Sequence, residues 1–318
     1  MGESGGVSEN FLKYFMKFVE GTRKLKSVLV DRDEEIDTIA CAFLTGTNVL
    51  LIGEPGTGKS LVVNEFAKLV GMGPENGYFH YLLTKYTEPS EILGPIDIKS
   101  LREGKYEVIT KNKLPEASLV FLDEVFNANS AILNSLLTLI NEKKLILGNM
   151  YKNMDDLICV YGASNHVPQD PLLLAFFDRF PIRLLVKHVE PSVENYKKLL
   201  QKEISIEVSD KVDTILTRKE SINFAKEFNR LVTTRIEELI DNDFLKSIFN
   251  SVKYLKSGAE IFISDRNLKH IVKMIVAYSM LRSEKTSAVP NKTDIIFILT
   301  KIWNNEEQKD EIERFLVR

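Results

Sequence analysis

Residues 53 to 60 have the types and spacing of a phosphate-binding loop. They are Gly53, Glu54, Pro55, Gly56, Thr57, Gly58, Lys59 and Ser60. Glycines let backbone N–H groups curl around phosphate oxygens, and a helix that begins at the loop adds positive potential there. The pattern predicts that Lys59 reaches the β- and γ-phosphates of a nucleoside triphosphate and that Ser60 places its hydroxyl on Mg²⁺.

The residues on either side of this loop predict the strand and the helix that it requires. The apolar run 49–52 precedes the loop, and from Leu61 onward apolar residues recur at helical spacing as far as Val70. This context favours a nucleotide site over an ordinary glycine turn between packed elements. We therefore predict that residues 53 to 61 bind ATP with Mg²⁺.

A second apolar run, 119–122, ends in two acidic residues, Asp123 and Glu124. A buried parallel strand would carry both to the carboxyl edge of a sheet, where ligands bind in open α/β folds. Asp123 is predicted to hold Mg²⁺ together with Ser60, and Glu124 to accept a proton from the attacking water. A solvated strand end looks the same, so this interpretation depends on the loop upstream.

The strand predicted at 157–161 leads to two further polar candidates. Asn165 could aim its amide at the attacking water or the γ-phosphate, although a lone Asn in this place is more often a turn residue. His166 could serve as a base, but a loop histidine without a partner is the favoured interpretation. Arg179 comes just before the last predicted strand, 181–186.

The alternation of strands and helices predicts an α/β domain that is followed by helices only. An aromatic strand is predicted at 78–83, and two hairpins at about 94–115 and 144–155, the second around Gly148-Asn149. The predicted divisions are an α/β nucleotide-binding domain at 1–189 with an N-terminal helix and both hairpins, a linker at 190–205 and an all-α lid domain at 206–318. Helix starts are predicted at Thr217, from its capping box with Glu220, and at Ser264.

Composition limits the functional classes. The 318 residues are 44% apolar and 27% charged, which is ordinary for a globular protein, and the net charge of −3 argues against non-specific binding to nucleic acid. Cys41 and Cys159 have no metal or redox spacing, which predicts two buried thiols in a reducing cytoplasm. We expect no membrane span, because Lys273 interrupts the longest apolar stretch, and no signal peptide.

Taken in order, the motifs resemble AAA+ ATPases of the MoxR/RavA family. They are GEPGTGKS at 53–60, LGPIDI at 93–98, LVFLDEV at 119–125, ILNSLLTLINE at 132–142, YGASN at 161–165 and FFDRF at 176–180. The resemblance covers essentially the whole α/β part. It implies a P-loop AAA+ core with a parallel five-stranded sheet and helices on both faces, followed by a smaller all-α lid.

The resemblance also implies roles for single residues. Asn165 matches sensor 1, and Arg179 matches the arginine finger that reaches the γ-phosphate of the neighbouring subunit. Arg266 matches sensor 2 at the start of a lid helix; the alternative is a surface arginine in a first helical turn. The two hairpins fall at the helix-2 and pre-sensor-1 inserts. In one departure, residues 172–175 are wholly apolar where the family usually carries an acidic residue before the finger.

The function that the resemblance implies is an ATPase ring of six identical subunits, with active sites at subunit interfaces. Such a machine remodels or helps assemble protein substrates, and a partner with a von Willebrand factor A (vWA) domain is expected. Two alternatives stay open. A nucleic-acid-associated motor is disfavoured by the weak basic signal, and a nucleotide-gated scaffold with little hydrolysis is disfavoured by the presence of Glu124 and Arg179.

Overall fold

The computed structural model describes residues 8–147, 150–205, 212–239, 243–258 and 260–317. Contacts divide the chain into two compact units. The sheet unit comprises Thr47–Val63 and Met72–His188, and the helical unit comprises the residues up to Gly46, Asn64–Gly71 and the residues from Val189 onward.

Five parallel strands form the centre of the sheet unit. The strands of the unit are β1 Val49–Ile52, β2 Tyr78–Leu82, β3 Leu119–Asp123, β4 Lys144–Leu147, β5 Met150–Asn153, β6 Cys159–Ser164 and β7 Ile182–Leu185. The parallel sheet has the order β2-β3-β6-β1-β7. Strands β1 and β6 are buried at every residue, and the burial of β1 explains its unbroken apolar sequence. The predicted five-stranded parallel sheet is therefore present.

Four helices lie wholly within the sheet unit. They are α4 Pro89–Leu93, α5 Ile98–Arg102, α6 Ser130–Glu142 and α7 Pro171–Phe177, whereas α3 Lys59–Leu69 begins in the sheet unit and ends in the helical unit. Helix α6 begins where sequence reasoning placed an apolar helical face. Its N-terminus is capped by Asn129, whose side chain accepts from the backbone N–H of Ile132 at 3.1 Å.

The first predicted hairpin differs from the structure. Instead of two strands, an isolated antiparallel bridge joins Ile96 to Val108, and the short helix α5 occupies the segment between them. Asp97 starts this helix because its carboxylate accepts from the N–H of Lys99 at 2.9 Å. The second hairpin is confirmed by the antiparallel pairing of β4 with β5. Its predicted turn at Gly148-Asn149 lies outside the described residues.

The helical unit contains the remaining helices. They are α1 Glu9–Val28, α2 Asp33–Thr45, α8 Val193–Ser205, α9 Arg218–Leu239, α10 Asp243–Gly258, α11 Asp265–Ser283, α12 Lys292–Leu299 and α13 Glu306–Val317. The predicted capping box is present, since Glu220 accepts from the N–H of Thr217 at 2.8 Å. Ser264 likewise caps α11. Within the described ranges, no helix combines the length and the apolar character needed to cross a membrane.

The two units differ from the predicted divisions 1–189, 190–205 and 206–318 in where they group the N-terminal helices, whereas the sheet unit ends at His188, within one residue of the predicted end of the α/β domain. Helices α1 and α2 belong to the helical unit because an aromatic cluster ties them to α9 and α3. The ring of Phe11 lies 5.3 Å from that of Phe224, and the ring of Phe18 lies 6.0 Å from that of Phe43. The apolar stripe of α1 was visible in the sequence, but a stripe does not say which element it packs against.

Candidate functional site

The predicted phosphate-binding loop connects β1, which lies between β6 and β7 in the sheet, to α3. The N–H of Gly53 extends the sheet by donating to the carbonyl of Ser164 at 3.2 Å. A Cβ atom at Gly53 would lie 2.1 Å from the carbonyl oxygen of Val186, so only glycine fits there. Gly56 and Gly58 have φ values of +81° and +85°, in the left-handed region that glycine adopts without steric cost. The sequence therefore folds as a tight glycine loop that leads into a helix N-terminus.

The side chain of Lys59 is held within this loop. Its ammonium donates to the carbonyls of Gly53 at 2.6 Å and Glu54 at 3.0 Å, and to Asn165 Oδ1 at 3.0 Å. Burial lowers the pKa of Lys59, while the nearby carboxylates of Asp123 and Glu124 raise it. The result is a cation in a narrow cradle of acceptors, placed where the motif predicts the phosphate charge.

Ser60 and Asp123 form the pair that was predicted to hold Mg²⁺. The Ser60 hydroxyl donates to Asp123 Oδ2 at 3.0 Å, which joins the start of α3 to the end of β3. No cluster of three or more His, Cys, Asp or Glu side chains suited to a metal ion occurs among the described residues. A hydroxyl beside a carboxylate fits Mg²⁺, which takes one or two oxygen ligands from a protein and completes its shell with phosphate oxygens and water.

Glu124 lies in a strained turn directly after β3. Its φ of +51° and ψ of 45° place a non-glycine residue in the left-handed region, at a cost of about 1 to 3 kcal/mol. Its carboxylate accepts from two amides, that of Asn165 at Oε1 and that of Asn127 at Oε2, the latter at 3.3 Å. Backbone strain of this kind is concentrated at functional sites. The fixed carboxylate could accept a proton from a water in the site.

Asn165 connects the loop to the carboxylate. Its Oδ1 accepts from Lys59, and its Nδ2 donates to Glu124 Oε1. One side chain thus bridges the predicted phosphate-binding cation and the predicted base. The Ser164 hydroxyl donates to the backbone carbonyl of His166 at 2.8 Å and accepts from the backbone N–H of His166 at 3.3 Å. That arrangement agrees with a turn residue rather than a base.

Comparisons with known proteins identify the family of this chain. Residues 16–226 match the MoxR domain of the MoxR-vWA-beta-propeller ternary systems. The chain belongs to the MoxR family of AAA+ ATPases. Residues 243–316 match an AAA lid domain. The predicted fold class, a P-loop AAA+ core followed by an all-α lid, is confirmed.

The relatives that resemble this MoxR chain extend beyond it in length. An uncharacterised protein of Methanocaldococcus jannaschii is 33% identical over 92% of the chain and 74% of its own length. A second protein of that organism is 33% identical over 84% of the chain and 65% of its own length. The Mycobacterium tuberculosis protein named chaperone MoxR1 is 27% identical over 54% of the chain and 44% of its own length. A solved structure from Cytophaga hutchinsonii, described as a candidate ATPase, shows the same fold with a TM-score of 0.70 at 21% identity. The match covers 98% of this chain and 96% of the other.

Arg179, the predicted arginine finger, has its described ion pair next to itself in the chain. Its Nη1 pairs with Asp178 Oδ2 at 3.1 Å, and among the described residues no hydrogen bond or ion pair joins its side chain to Lys59 or Glu124. A second arginine, Arg183 of β7, was missed by sequence reasoning. It is buried, its guanidinium lies 4.1 Å from the ring centre of Phe177, and burial lowers its pKa to about 10.

Arg266, the candidate sensor 2 of this MoxR chain, lies in the first turn of α11 with its side chain exposed. It belongs to the helical unit, whereas the loop belongs to the sheet unit. Its role at the nucleotide therefore stays a prediction. Asn127 was also missed by sequence reasoning, since nothing in the run Val125-Phe126-Asn127 marks it as a partner of Glu124.

Proposed function

We propose that this MoxR-type chain hydrolyses ATP and uses the energy to remodel other proteins or to assist their assembly. The observation that carries the proposal is one hydrogen-bonded connection from Lys59 through Asn165 to Glu124. This connection joins the side chains that we propose as the phosphate-binding cation, the polar sensor and the general base, and the Ser60–Asp123 hydrogen bond supports the proposed Mg²⁺ site beside them.

Each side chain has a definite part in the reaction. The loop N–H groups and Lys59 bind the phosphates, and Ser60 and Asp123 hold Mg²⁺, which neutralises charge on the phosphate oxygens when it is bound. Asn165 orients the attacking water or the γ-phosphate, and Glu124 Oε accepts the proton of that water. Catalysis consists of positioning and charge stabilisation, because phosphoryl transfer needs no covalent step from the protein.

Arg179 is proposed to act on the neighbouring subunit. The absence of a described hydrogen bond or ion pair from its side chain to Lys59 or Glu124 of its own chain supports this role, since a finger that acts across an interface does not complete its own site. Each active site would then be completed by the next of six identical subunits, and Arg266 would contribute as sensor 2.

The proposed partner carries a vWA domain, and the proposed substrates are proteins. The family description, a MoxR domain of MoxR-vWA-beta-propeller systems, and the name of the chaperone MoxR1 support both points. We place the protein in the cytoplasm because both cysteines are buried free thiols, as is usual in a reducing compartment.

Two variants test the proposed chemistry. Lys59→Ala should lose binding of a fluorescent ATP analogue. Glu124→Gln should bind the analogue normally and hydrolyse ATP at least about a hundredfold more slowly, a typical loss for a general base. Glu75→Gln is the control, since Glu75 is exposed in the loop before β2. Equal loss of binding in both site variants would contradict the assignment of Glu124 as the base.

A further inference from the structure

Asn127 lies in the turn that follows Glu124, and its side chain contacts the carboxylate of Glu124. Residues Val125–Asn127 form a single 3₁₀-helical turn, in which the N–H of Asn127 donates to the carbonyl of Glu124 at 2.9 Å. Side chains three residues apart lie on the same side of a 3₁₀ turn. The turn therefore brings the Asn127 amide back over Glu124, where its Nδ2 donates to Oε2 at 3.3 Å.

We infer that Asn127 is a positioning residue for the base of the ATPase reaction, an inference that rests on the proposed role of Glu124. Asn165 holds Oε1 and Asn127 holds Oε2. A single hydrogen bond fixes the position of one oxygen and leaves the carboxylate free to rotate about it. Two donors on different oxygens fix the plane of the carboxylate as well.

The two amides that contact Glu124 belong to different segments of the chain. Asn165 follows β6, whereas Asn127 lies in the turn after β3. That turn is anchored, because the side chains of Val125 and Phe126 within it are both buried. The Phe126 ring packs against Phe176 at 6.4 Å and Phe177 at 6.2 Å. Asn127 therefore presents its amide from a fixed backbone.

The chemistry of an amide suits this role. An ionised carboxylate can accept about four hydrogen bonds, so two amide donors leave acceptor sites for the attacking water. A lysine or arginine in place of Asn127 would form an ion pair with Glu124 and draw the carboxylate away from that water. Because Asn127 acts only through Glu124, it should affect the turnover step and leave nucleotide binding unchanged.

Two substitutions at position 127 separate positioning from packing. Asn127→Ala removes the donor, and we expect kcat to fall about tenfold because a hydrogen bond to a charged group is lost. KM and the affinity for the fluorescent ATP analogue should stay within about twofold of the unsubstituted values. Asn127→Asp keeps the shape but places a second carboxylate against Oε2, and we expect a larger loss than with Ala. If the side chain only filled space, Asp would be the better tolerated of the two.

Asn129→Ala is the matched control. Asn129 lies two residues further on and is also an asparagine with a structural hydrogen bond, but its partners are Ile132 N and the carbonyl of Thr87 rather than Glu124. Loss of this helix cap should lower the melting temperature, as caps typically stabilise by about 1 kcal/mol, and leave kcat nearly unchanged. Melting curves of all variants show whether a rate loss reflects unfolding.

The decisive measurement compares the hydrolysis rates of Glu124→Gln with and without the additional substitution Asn127→Ala. The rates are measured by single-turnover hydrolysis of radiolabelled ATP. A positioning residue has nothing left to position there, so the double variant should be as slow as Glu124→Gln alone. If Asn127→Ala lowers both rates by the same factor, or leaves the rate of the otherwise wild-type chain intact, the inference about Asn127 is overturned while the base assignment stands. If Glu124→Gln itself retains the full rate, the proposed role of Glu124 as the base fails, and the inference fails with it.

Discussion

The ring of Phe126 lies 6.2 Å from the ring of Phe177, with 43° between the two planes. Phe126 belongs to the turn after Glu124, and Phe177 ends α7 two residues before Arg179. The proposed base and the proposed finger thus share one aromatic contact, although they are predicted to serve different active sites.

Mixed rings test whether Arg179 acts across an interface. Arg179→Ala and Lys59→Ala subunits should each be inactive alone, because the first lacks a finger and the second cannot bind nucleotide. A ring that contains both should regain part of the activity, since intact Arg179 of one subunit can face an intact loop on another. The measurement is the ATPase rate of rings whose mixed composition has been verified by mass. Absence of recovery would place Arg179 in its own subunit's site or give it a structural role.

The nucleotide loop could be predicted from the sequence because its chemistry is local. Lys59, Ser60 and the three loop glycines lie within eight residues, and the strand before them is apolar throughout. Asp123 and Glu124 could be added because an apolar run that ends in acids predicts a strand end. The structure brings all of these together, with Asn165 between Lys59 and Glu124.

Features that depend on distant packing could not be predicted. The stripe of α1 gave no sign that Phe11 would meet Phe224, which is why the predicted domain boundary at 189 separates residues that pack together. Asn127 looked like any residue of a loop, because its partner depends on the left-handed backbone of Glu124. The segment after Gly94 was predicted as strands, but the Asp97 cap directs it into α5.

Gly53 should be the least replaceable of the loop glycines. A methyl group there would lie 2.1 Å from the Val186 carbonyl oxygen, and backbone cannot move aside without opening the sheet between β1 and β7. Gly53→Ala should therefore abolish nucleotide binding or prevent folding, as judged by a thermal melt and by analogue binding.

Gly104→Ala is the control for this substitution. Gly104 has a φ of +77°, but no atom of the described residues lies within 4 Å of the place that a methyl group would take. The only cost is therefore the left-handed backbone, about 1 kcal/mol. That variant should fold, bind the analogue and melt a few degrees lower. Equal behaviour of the two variants would contradict the steric reason given for Gly53.

The stability of the helical unit should depend on pH through Glu35. Burial raises the pKa of this carboxyl to about 7, although the Arg32 guanidinium works in the opposite direction. In the unfolded chain Glu35 ionises near pH 4.5, so between that pH and about 7 the folded state holds the proton more tightly. The contribution to stability is fully present below pH 4.5 and is lost as the pH rises through about 7, a change of about 3 kcal/mol.

Glu35→Gln should remove this dependence. The variant should melt several degrees above the unsubstituted protein at pH 8 and close to it at pH 5, whereas the exposed Glu75→Gln should show no such difference. The measurement is the difference in melting temperature between variant and parent across this range. A Glu35→Gln variant that is less stable at pH 8 would mean that the carboxylate is ionised and paired with Arg32 there.

The segment from Ile96 to Ile109 exposes an unusual set of side chains. Apolar residues at its surface are Ile96, Ile98, Leu101, Tyr106 and Ile109. Its acids have partners within the segment: the Ser100 hydroxyl lies 3.0 Å from Asp97 Oδ2 and 2.8 Å from Glu107 Oε2, and Glu103 pairs with Lys105 at 3.9 Å. The surface therefore offers apolar and basic groups to a protein that binds there.

We expect Tyr106→Ala and Lys105→Glu to leave basal ATPase activity and ring assembly nearly unchanged, because neither residue touches the nucleotide site. Both should weaken capture of substrate or partner proteins by the Glu124→Gln chain with ATP, measured by quantitative mass spectrometry of the retained proteins. Tyr86→Ala is the control, since Tyr86 is 90% exposed in the loop after β2 and outside this segment. If the two variants instead break the ring or leave capture intact, the segment only braces its neighbours, and the contact surface is better sought at the β4–β5 hairpin.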